Sequence, residues 1–343
     1  LFANSAAVFV HNFIYKDLVT DRDIMNGLAK KELREVLAKR TFDANRAEYT
    51  RSVIAETIRN HPEMIRCLYQ MFDRKFNPRK KPVGEKALRR GIEDFVKNAA
   101  IVFVEDTTGF DIVRFMTHLI TSTVKTNFYQ TRKRSFAYRF DASVLDPLVF
   151  SAKVHGIFYV TGFYAVATHM RADDIARGGL RLIRVTPGNY ETELDNMPLL
   201  NYALGPVAQR LKHKDIAESG AKGVVVPYPE YAVDGLNAVL DLTEGVFDLI
   251  RPSSEVVDYL GRREMIFFGP DEGTSSMMDA IALRARARGY RHWRTVTTGK
   301  SIGIPHDVYG LLDDRRVFGL SEDPSGGTAL HIEEKPVFVT KDM

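Results

Sequence analysis

Apolar residues recur at helical spacing through residues 21–125. Residues three or four positions apart lie on one face of a helix, so this spacing predicts a helical region. Pro62 suits the first turn of a helix, and residues 77–78 and 81–84 carry the Pro and Gly that interrupt helices. The pattern therefore predicts several helices of moderate length, with apolar faces that include Ile54, Ile58, Ile65, Leu68, Phe72, Leu88, Ile92, Phe95, Ile112, Phe115, Met116, Leu119 and Ile120.

After Asn127 the apolar period changes to two. Phe136, Tyr138 and Phe140 alternate with basic or small residues, which predicts a half-buried strand. Residues 156–167 predict two strands joined by a turn at Thr161-Gly162. Further short strands are predicted at residues 180–185, 223–227 and 265–268.

Helical segments are predicted between these strands, at residues 201–212, 230–249 and 274–288. Alternating strands and helices indicate the α/β class. We therefore expect a mainly helical region at residues 1–133 and an α/β substrate domain at 134–310. Residues 311–343 are rich in charged, Gly, Pro and Ser residues and predict an irregular tail.

The composition is that of a globular protein of about two domains, with 45% hydrophobic and 27% charged residues among 343. No apolar run approaches the roughly 20 residues that span a bilayer, so we expect no membrane partner. A first residue other than Met indicates a fragment or a processed chain. Cys67 is the only cysteine, which argues for a reducing compartment; its apolar helical neighbours predict a buried structural thiol.

Charge and histidine spacing narrow the possible partners. The net charge is +4, and basic residues cluster at 74–90 and 125–139. A solvated helical face explains these clusters better than a nucleic-acid surface, whose signature would be steep salt dependence of binding. The nine histidines lack the spacing of a zinc site, so we expect no structural metal.

Four segments combine glycine with charged or hydroxyl residues beside predicted strands: 176–181, 212–223, 268–274 and 298–301. Glycine lets the backbone approach a ligand closely because it adds no side-chain bulk. Four such turns in one domain could line a single cleft.

Two residues in these turns are candidates for proton transfer. Lys222, between small residues, could be desolvated and act as a general base, although a solvated turn lysine is the better interpretation on spacing alone. Asp271 follows the apolar run 265–268 and could transfer protons at a strand end. A helix N-cap is an equally good interpretation of Asp271.

Three basic residues could bind carboxylates: Arg177, Arg181 and Lys212. Arg offers a planar fork and Lys a compact charge. As isolated residues they are more often surface charges.

Taken in order, residues 174–181, 212–223, 268–274, 298–301 and 303–310 resemble segments of the large NAD-specific glutamate dehydrogenases of fungi, protists and some bacteria. The resemblance extends upstream to residues 125–130 and 135–141 and covers about residues 50–310. It implies that Lys222 and Asp271 are catalytic, that Lys212 binds the α-carboxylate and that Arg177 binds the distal carboxylate. Gly178, Gly179 and Arg181 would belong to the glycine-rich substrate turn.

The activity implied by the resemblance is reversible oxidative deamination of L-glutamate by NAD to 2-oxoglutarate and ammonium. A homo-oligomer in the cytoplasm or the mitochondrial matrix is expected with it. Three departures from the family pattern are visible: Arg177 replaces a lysine of smaller relatives, and Ala217 and Ser219 replace a proline and a glycine.

The chain contains no Gly-x-Gly-x-x-Gly, and no counterpart of the nucleotide-binding domain precedes Met343. We therefore expect the NAD site to lie mostly outside this chain, which should not turn over alone. The alternative function is a non-catalytic sensor or subunit that binds a dicarboxylate.

Overall fold

The fold is taken from a computed structural model that describes residues 1–14, 48–147, 150–208, 219–300, 320–322 and 328–330. Its N-terminal part is helical, as the apolar spacing predicted. Pro62 lies in the first turn of a helix, and the chain leaves helical structure between Phe76 and Glu85, where Pro and Gly residues interrupt it. The helices are α1 (Phe2–Phe13), α2 (Arg51–Asn60), α3 (Pro62–Phe76), α4 (Glu85–Val102) and α5 (Thr107–Thr121).

A seven-stranded mixed sheet follows these helices. Its strands are β1 (Thr123–Thr126), β2 (Phe136–Phe140), β3 (Gly156–Thr161), β4 (Ala165–Arg171), β5 (Gly179–Leu182), β6 (Ala221–Pro227) and β7 (Gly269–Pro270). The spatial order is β1-β2-β3-β4-β6-β5-β7. Pairing is antiparallel from β1 to β6 and parallel from β6 through β5 to β7. A separate antiparallel pair joins β8 (Leu320–Glu322) to β9 (Thr328–Leu330).

Helices cover both faces of the large sheet. On one face, α1 to α5 and α6 (Tyr190–Tyr202) share a core with side chains such as Tyr138, Tyr159 and Val224. On the other face, α7 (Gly235–Ile250) and α8 (Met278–Ala287) pack on Ala137, Phe158 and others. Both faces of the strands are therefore buried, and the α/β class expected from the sequence is confirmed. The boundary between domains at residue 134 stays a prediction.

The β3–β4 hairpin and strands β5 and β6 occur where they were predicted, but the predicted strand at residues 265–268 is wrong. Only Gly269 and Pro270 pair, as β7. The Phe268 N–H instead donates to the Val296 carbonyl at 2.7 Å, so this run is held by a loop and not by a strand neighbour.

The predicted helices are confirmed with shifted ends. The segment at 274–288 is a 3-10 turn followed by α8, and the one at 230–249 is a 3-10 turn (Pro229–Tyr231) followed by α7. The segment predicted at 201–212 lies at the end of α6, which begins at Tyr190 and continues into a π-helical turn at Ala203–Val207. Residues 209–218 lie outside the described residues.

Two burial predictions are wrong. Cys67 is exposed, because the buried face of α3 runs through Met64, Leu68 and Phe72, and residue 67 falls beside it. Strand β2 is buried on both sides, since Arg139 is only 1% exposed and faces an internal carboxylate.

Among the helices of the described part of the chain, none combines the length and apolarity needed to cross a bilayer.

Candidate active site

Strand β5 lies between two parallel neighbours that bring the candidate residues together. Leu180 pairs with Gly223 in β6 and with Pro270 in β7. Lys222, the second residue of β6, and Asp271, the residue after β7, are therefore held on either side of the start of β5.

The Lys222 ammonium and the Asp271 carboxylate contact each other as an ion pair, with the two side chains 11% and 24% exposed. Lys222 lies within a strand and is not a solvated turn residue. Asp271 does not cap a helix, since Thr274 precedes the 3-10 turn and Met277 precedes α8. Its backbone N–H donates to the Thr274 hydroxyl at 3.0 Å, which orients the residue.

Arg181 adds a positive charge to this pair. Its Nε lies 3.6 Å from Asp271 Oδ2, and its Nη2 lies 3.5 Å from Glu272 Oε2. The guanidinium is 29% exposed. Asp271 is thus flanked by the positively charged side chains of Lys222 and Arg181.

Glycines allow the close packing of these segments. A Cβ at Gly178 would overlap the Ala221 carbonyl oxygen, and one at Gly179 would lie 2.6 Å from Asp271 Cβ. Gly205 faces Lys222 similarly, since a Cβ at residue 205 would lie 3.0 Å from the Lys222 Cβ. Gly299 has a φ of +69°, a conformation that favours glycine, and packs on Pro270. The expectation that these turns converge is supported for the parts that the structure describes.

Arg177 is exposed, and its backbone runs beside the segment that leads to Lys222. Its N–H donates to the Ser219 carbonyl at 3.1 Å, and its carbonyl accepts from the Ala221 N–H at 3.0 Å. The structure therefore places the Arg177 turn next to β6. Lys212 and residues 303–310 lie outside the described residues.

His169 is a buried neighbour of the site that sequence reasoning did not single out. It pairs with Gly223 across β4 and β6 and is 0% exposed. Burial lowers its pKa to about 3, and the positive charge of Arg171 acts in the same direction. The ring is therefore neutral near pH 7 and adds no further positive charge to the site.

A buried ion cluster was also missed. The Glu264 side chain is 0% exposed and accepts from Arg139 Nε at 2.9 Å, while Arg171 Nη2 contacts the same carboxylate oxygen. Burial lowers the pKa of Arg171, and Glu264 opposes that shift. The available signal was Arg139 itself, a charged residue inside an aromatic strand pattern, which was interpreted as facing solvent.

The geometry defines an α/β protein with a partly buried lysine–aspartate pair framed by glycine turns. A sequence profile described as bacterial NAD-glutamate dehydrogenase, catalytic domain, matches residues 97–313. The chain belongs to this family, which confirms the resemblance found in its motifs.

Named relatives agree with the family match. Glutamate dehydrogenase 2 of Dictyostelium discoideum is 33% identical over 290 residues, which cover 82% of this chain and 26% of that protein. The NAD-specific glutamate dehydrogenase of Neurospora crassa is 29% identical over 341 residues, which cover 91% of this chain and 31% of that protein. The enzyme of that name from Saccharomyces cerevisiae is 29% identical over 340 residues, which cover 91% of this chain and 31% of that protein. The chain thus spans between a quarter and a third of the length of these relatives.

Proposed function

We propose that this chain forms the glutamate-binding part of an enzyme that oxidatively deaminates L-glutamate with NAD. The balanced reaction converts L-glutamate, NAD⁺ and water into 2-oxoglutarate, ammonium, NADH and a proton. The relatives are named for this activity, and the family match supports an enzyme over a non-catalytic dicarboxylate-binding module.

The observation that carries the proposal is the contact between Lys222 and Asp271. The two residues are far apart in the sequence, and the register of β5, β6 and β7 brings them together. The Lys222 ammonium is largely shielded from water, and its charge can stabilise negative charge that develops on the substrate. The neighbouring Asp271 carboxylate can accept a proton, and oxidative deamination needs both functions at one point.

The roles follow from charge and position. Asp271 accepts a proton from the substrate amine and returns one to the departing ammonia. Lys222 polarises the substrate and the water that attacks the iminoglutarate carbon to form the carbinolamine. Arg177 and Lys212 bind the distal carboxylate and the α-carboxylate, which keeps the α-carbon in a fixed orientation.

The turns that follow β5 and β6 do not fit the pyrophosphate of NAD. The turn from β5 to α6 contains one glycine, Gly188, and the turn from β6 to α7 carries proline and tyrosine before Gly235. Neither forms the glycine loop that lets a pyrophosphate approach a helix N-terminus. When bound, NAD would supply the hydride acceptor, and we propose that most of its site lies outside these 343 residues.

The test is turnover by the full-length protein, followed as NADH absorbance with L-glutamate and NAD⁺. Lys222→Gln should lower kcat by about 100-fold or more, because general acid–base and electrostatic groups contribute at least that much. Lys125→Gln is the matched control. Lys125 is also a strand lysine, with its side chain 5% exposed and its Nζ 2.9 Å from Asp258 Oδ2.

Both variants remove a buried lysine charge that is paired with an aspartate, but only one removes it from the candidate site. A wild-type protein that does not reduce NAD⁺ with glutamate contradicts the proposed function. Equal losses in the two lysine variants contradict the role of Lys222.

We also propose a homo-oligomer located in the cytoplasm or the mitochondrial matrix. The single cysteine supports a reducing compartment. Two exposed apolar side chains support a surface covered by another subunit: Ile101, at the end of α4, is 75% exposed, and Val104, two residues after that helix ends, is 78% exposed. Light scattering of the full-length protein gives its subunit number, and a monomer would contradict the oligomer.

A further inference from the structure

Glu264 and its two arginine partners form the most deeply buried ion cluster near the candidate site. The Glu264 side chain is 0% exposed, and those of Arg139 and Arg171 are each 1% exposed. Arg139 Nη2 lies 2.8 Å from the same Glu264 oxygen that Arg171 contacts. Gly156 leaves room for the Arg139 guanidinium, which a Cβ at that position would overlap. The packing around the cluster is thus adapted to hold these charges inside.

Arg171 reaches two segments that lead into the site. Its Nη1 donates to the Asp174 carbonyl and to the Met265 carbonyl, each at 2.8 Å. Asp174 lies three residues before Arg177, in the turn that continues to Gly178. Met265 lies six residues before Asp271. One guanidinium therefore fixes the approach of both segments.

The backbone at Arg171 is tied to the third segment. Arg171 pairs with Ala221, the residue before Lys222, at the end of β4. The next residue, Ala172, donates its N–H to the Gly220 carbonyl at 2.9 Å. Arg171 is thus in contact with the segments that carry Lys222, Asp271 and the glycine turn.

The segment before Asp271 depends on these side-chain contacts. Residues 263–268 form neither helix nor strand, and only Gly269 and Pro270 join the sheet. A buried carboxylate is costly unless it is paired, so Glu264 places this segment firmly against the two arginines. The run is also held by the burial of Ile266 and Phe268 in the core and by the bond from the Phe268 N–H to the Val296 carbonyl, but only the Glu264 pairing ties it to Arg139 and Arg171 through side-chain charges.

We propose that Arg171 and Glu264 are positioning residues that set the geometry of the Lys222–Asp271 pair and of the Gly178 turn. They act through the backbone and do not touch the substrate. The inference rests on the proposed function, because the geometry that they hold is that of its catalytic pair. Misplacing catalytic groups by about 1 Å can lower the rate by about 100-fold while binding is retained.

The experiment uses the full-length protein and two variants, Glu264→Gln and Arg171→Lys. Glutamine keeps the size of Glu264 but removes the carboxylate charge that both arginines share. Lysine keeps the charge at residue 171, but its one nitrogen cannot occupy both the place of Nη1, which bonds to the Asp174 and Met265 carbonyls, and the place of Nη2, which contacts Glu264. Glu244→Gln is the control. Glu244 lies in α7, its side chain is only 8% exposed, and it accepts a hydrogen bond from Arg288 Nη1 at 2.7 Å.

Two quantities are measured for each protein. The first is the pair kcat and KM for L-glutamate. The second is amide hydrogen exchange, by mass spectrometry, in peptides that cover residues 172–179 and 264–271. We expect both positioning variants to lower kcat by about 10- to 100-fold, to change KM less than about threefold and to speed exchange in both peptides. Glu244→Gln should neither lower kcat by this much nor speed amide exchange in the two peptides.

Unchanged kcat, unchanged exchange, or an equal loss of kcat in Glu244→Gln overturns the inference. If Glu264→Gln does not fold, Arg171→Lys decides, because it retains the buried charge pair. A wild-type protein that fails to reduce NAD⁺ contradicts the proposed function alone. The exchange data then decide the positioning role: faster exchange supports it and unchanged exchange overturns it.

Discussion

The backbone of Gly178 lies so close to the carbonyl oxygen of Ala221 that a Cβ at residue 178 would overlap that oxygen. This approach joins the glycine turn to the strand that carries Lys222. A side chain of any size at residue 178 must push the two segments apart.

We therefore expect Gly178→Ala to lower the free energy of unfolding by about 1–3 kcal/mol, the usual cost of overpacking. Gly188→Ala is the control, because a Cβ there would lie 3.9 Å from Thr186 Oγ1, an ordinary contact. Urea denaturation of both variants measures the difference. Equal unfolding free energies would show that the turn can move at no cost.

Arg181 is expected to act on the rate more than on substrate affinity. The resemblance implied that Arg181 belongs to the substrate turn, but the Arg181 guanidinium faces Asp271 and Glu272. Arg181→Gln should lower kcat by about tenfold with little change in KM, as expected for a group that orients the proposed catalytic carboxylate of Asp271. Steady-state kinetics of the full-length protein measure both. A raised KM at constant kcat would instead place Arg181 on the substrate.

The proposed carboxylate anchors should show the opposite pattern. Arg177→Gln and Lys212→Gln should each raise KM for glutamate, by about tenfold or more, because each removes a charge-assisted contact made in the ground state. Lys222→Gln should mainly lower kcat. The three variants are compared in one glutamate titration, and similar changes in KM and kcat for all of them would count against these separate roles.

Lys75 makes stability depend on pH. Its ammonium, on α3, donates to the carbonyl of Ile120 in the last turn of α5 at 2.6 Å and to that of Thr123, the first residue of β1, at 2.8 Å. Burial lowers the pKa of Lys75 from 10.5 to about 8. Between these values the unfolded chain binds more protons than the folded chain, so the contribution of Lys75 to stability rises as pH increases from 8 to 10.5.

Lys75→Met removes this dependence. The difference in unfolding free energy between wild type and variant should grow by on the order of 2 kcal/mol over that window and stay level below pH 8. Denaturation curves at several pH values between 7 and 10.5 measure it. If the difference in unfolding free energy between the two proteins is the same at every pH, burial does not lower the pKa of Lys75.

The sequence by itself determined the α/β class, most elements and the segments that form the site. Helical spacing located α3 to α5, and Pro62 marked a helix start, because these signals are local. The β3–β4 hairpin was predicted for the same reason. The motif order identified the family, and glycine content indicated close packing at Gly178 and Gly179, which the structure supports.

Only the tertiary structure decided which charges meet and which residues are buried. Glu264 lies 125 residues from Arg139, and their pairing follows from the stacking of a loop on the sheet, which no periodicity encodes. The same holds for Lys222 and Asp271, whose contact depends on the register of three strands. Local patterns also failed at Cys67 and at residues 265–268, because burial depends on which neighbour covers a residue and strand formation depends on a partner being present.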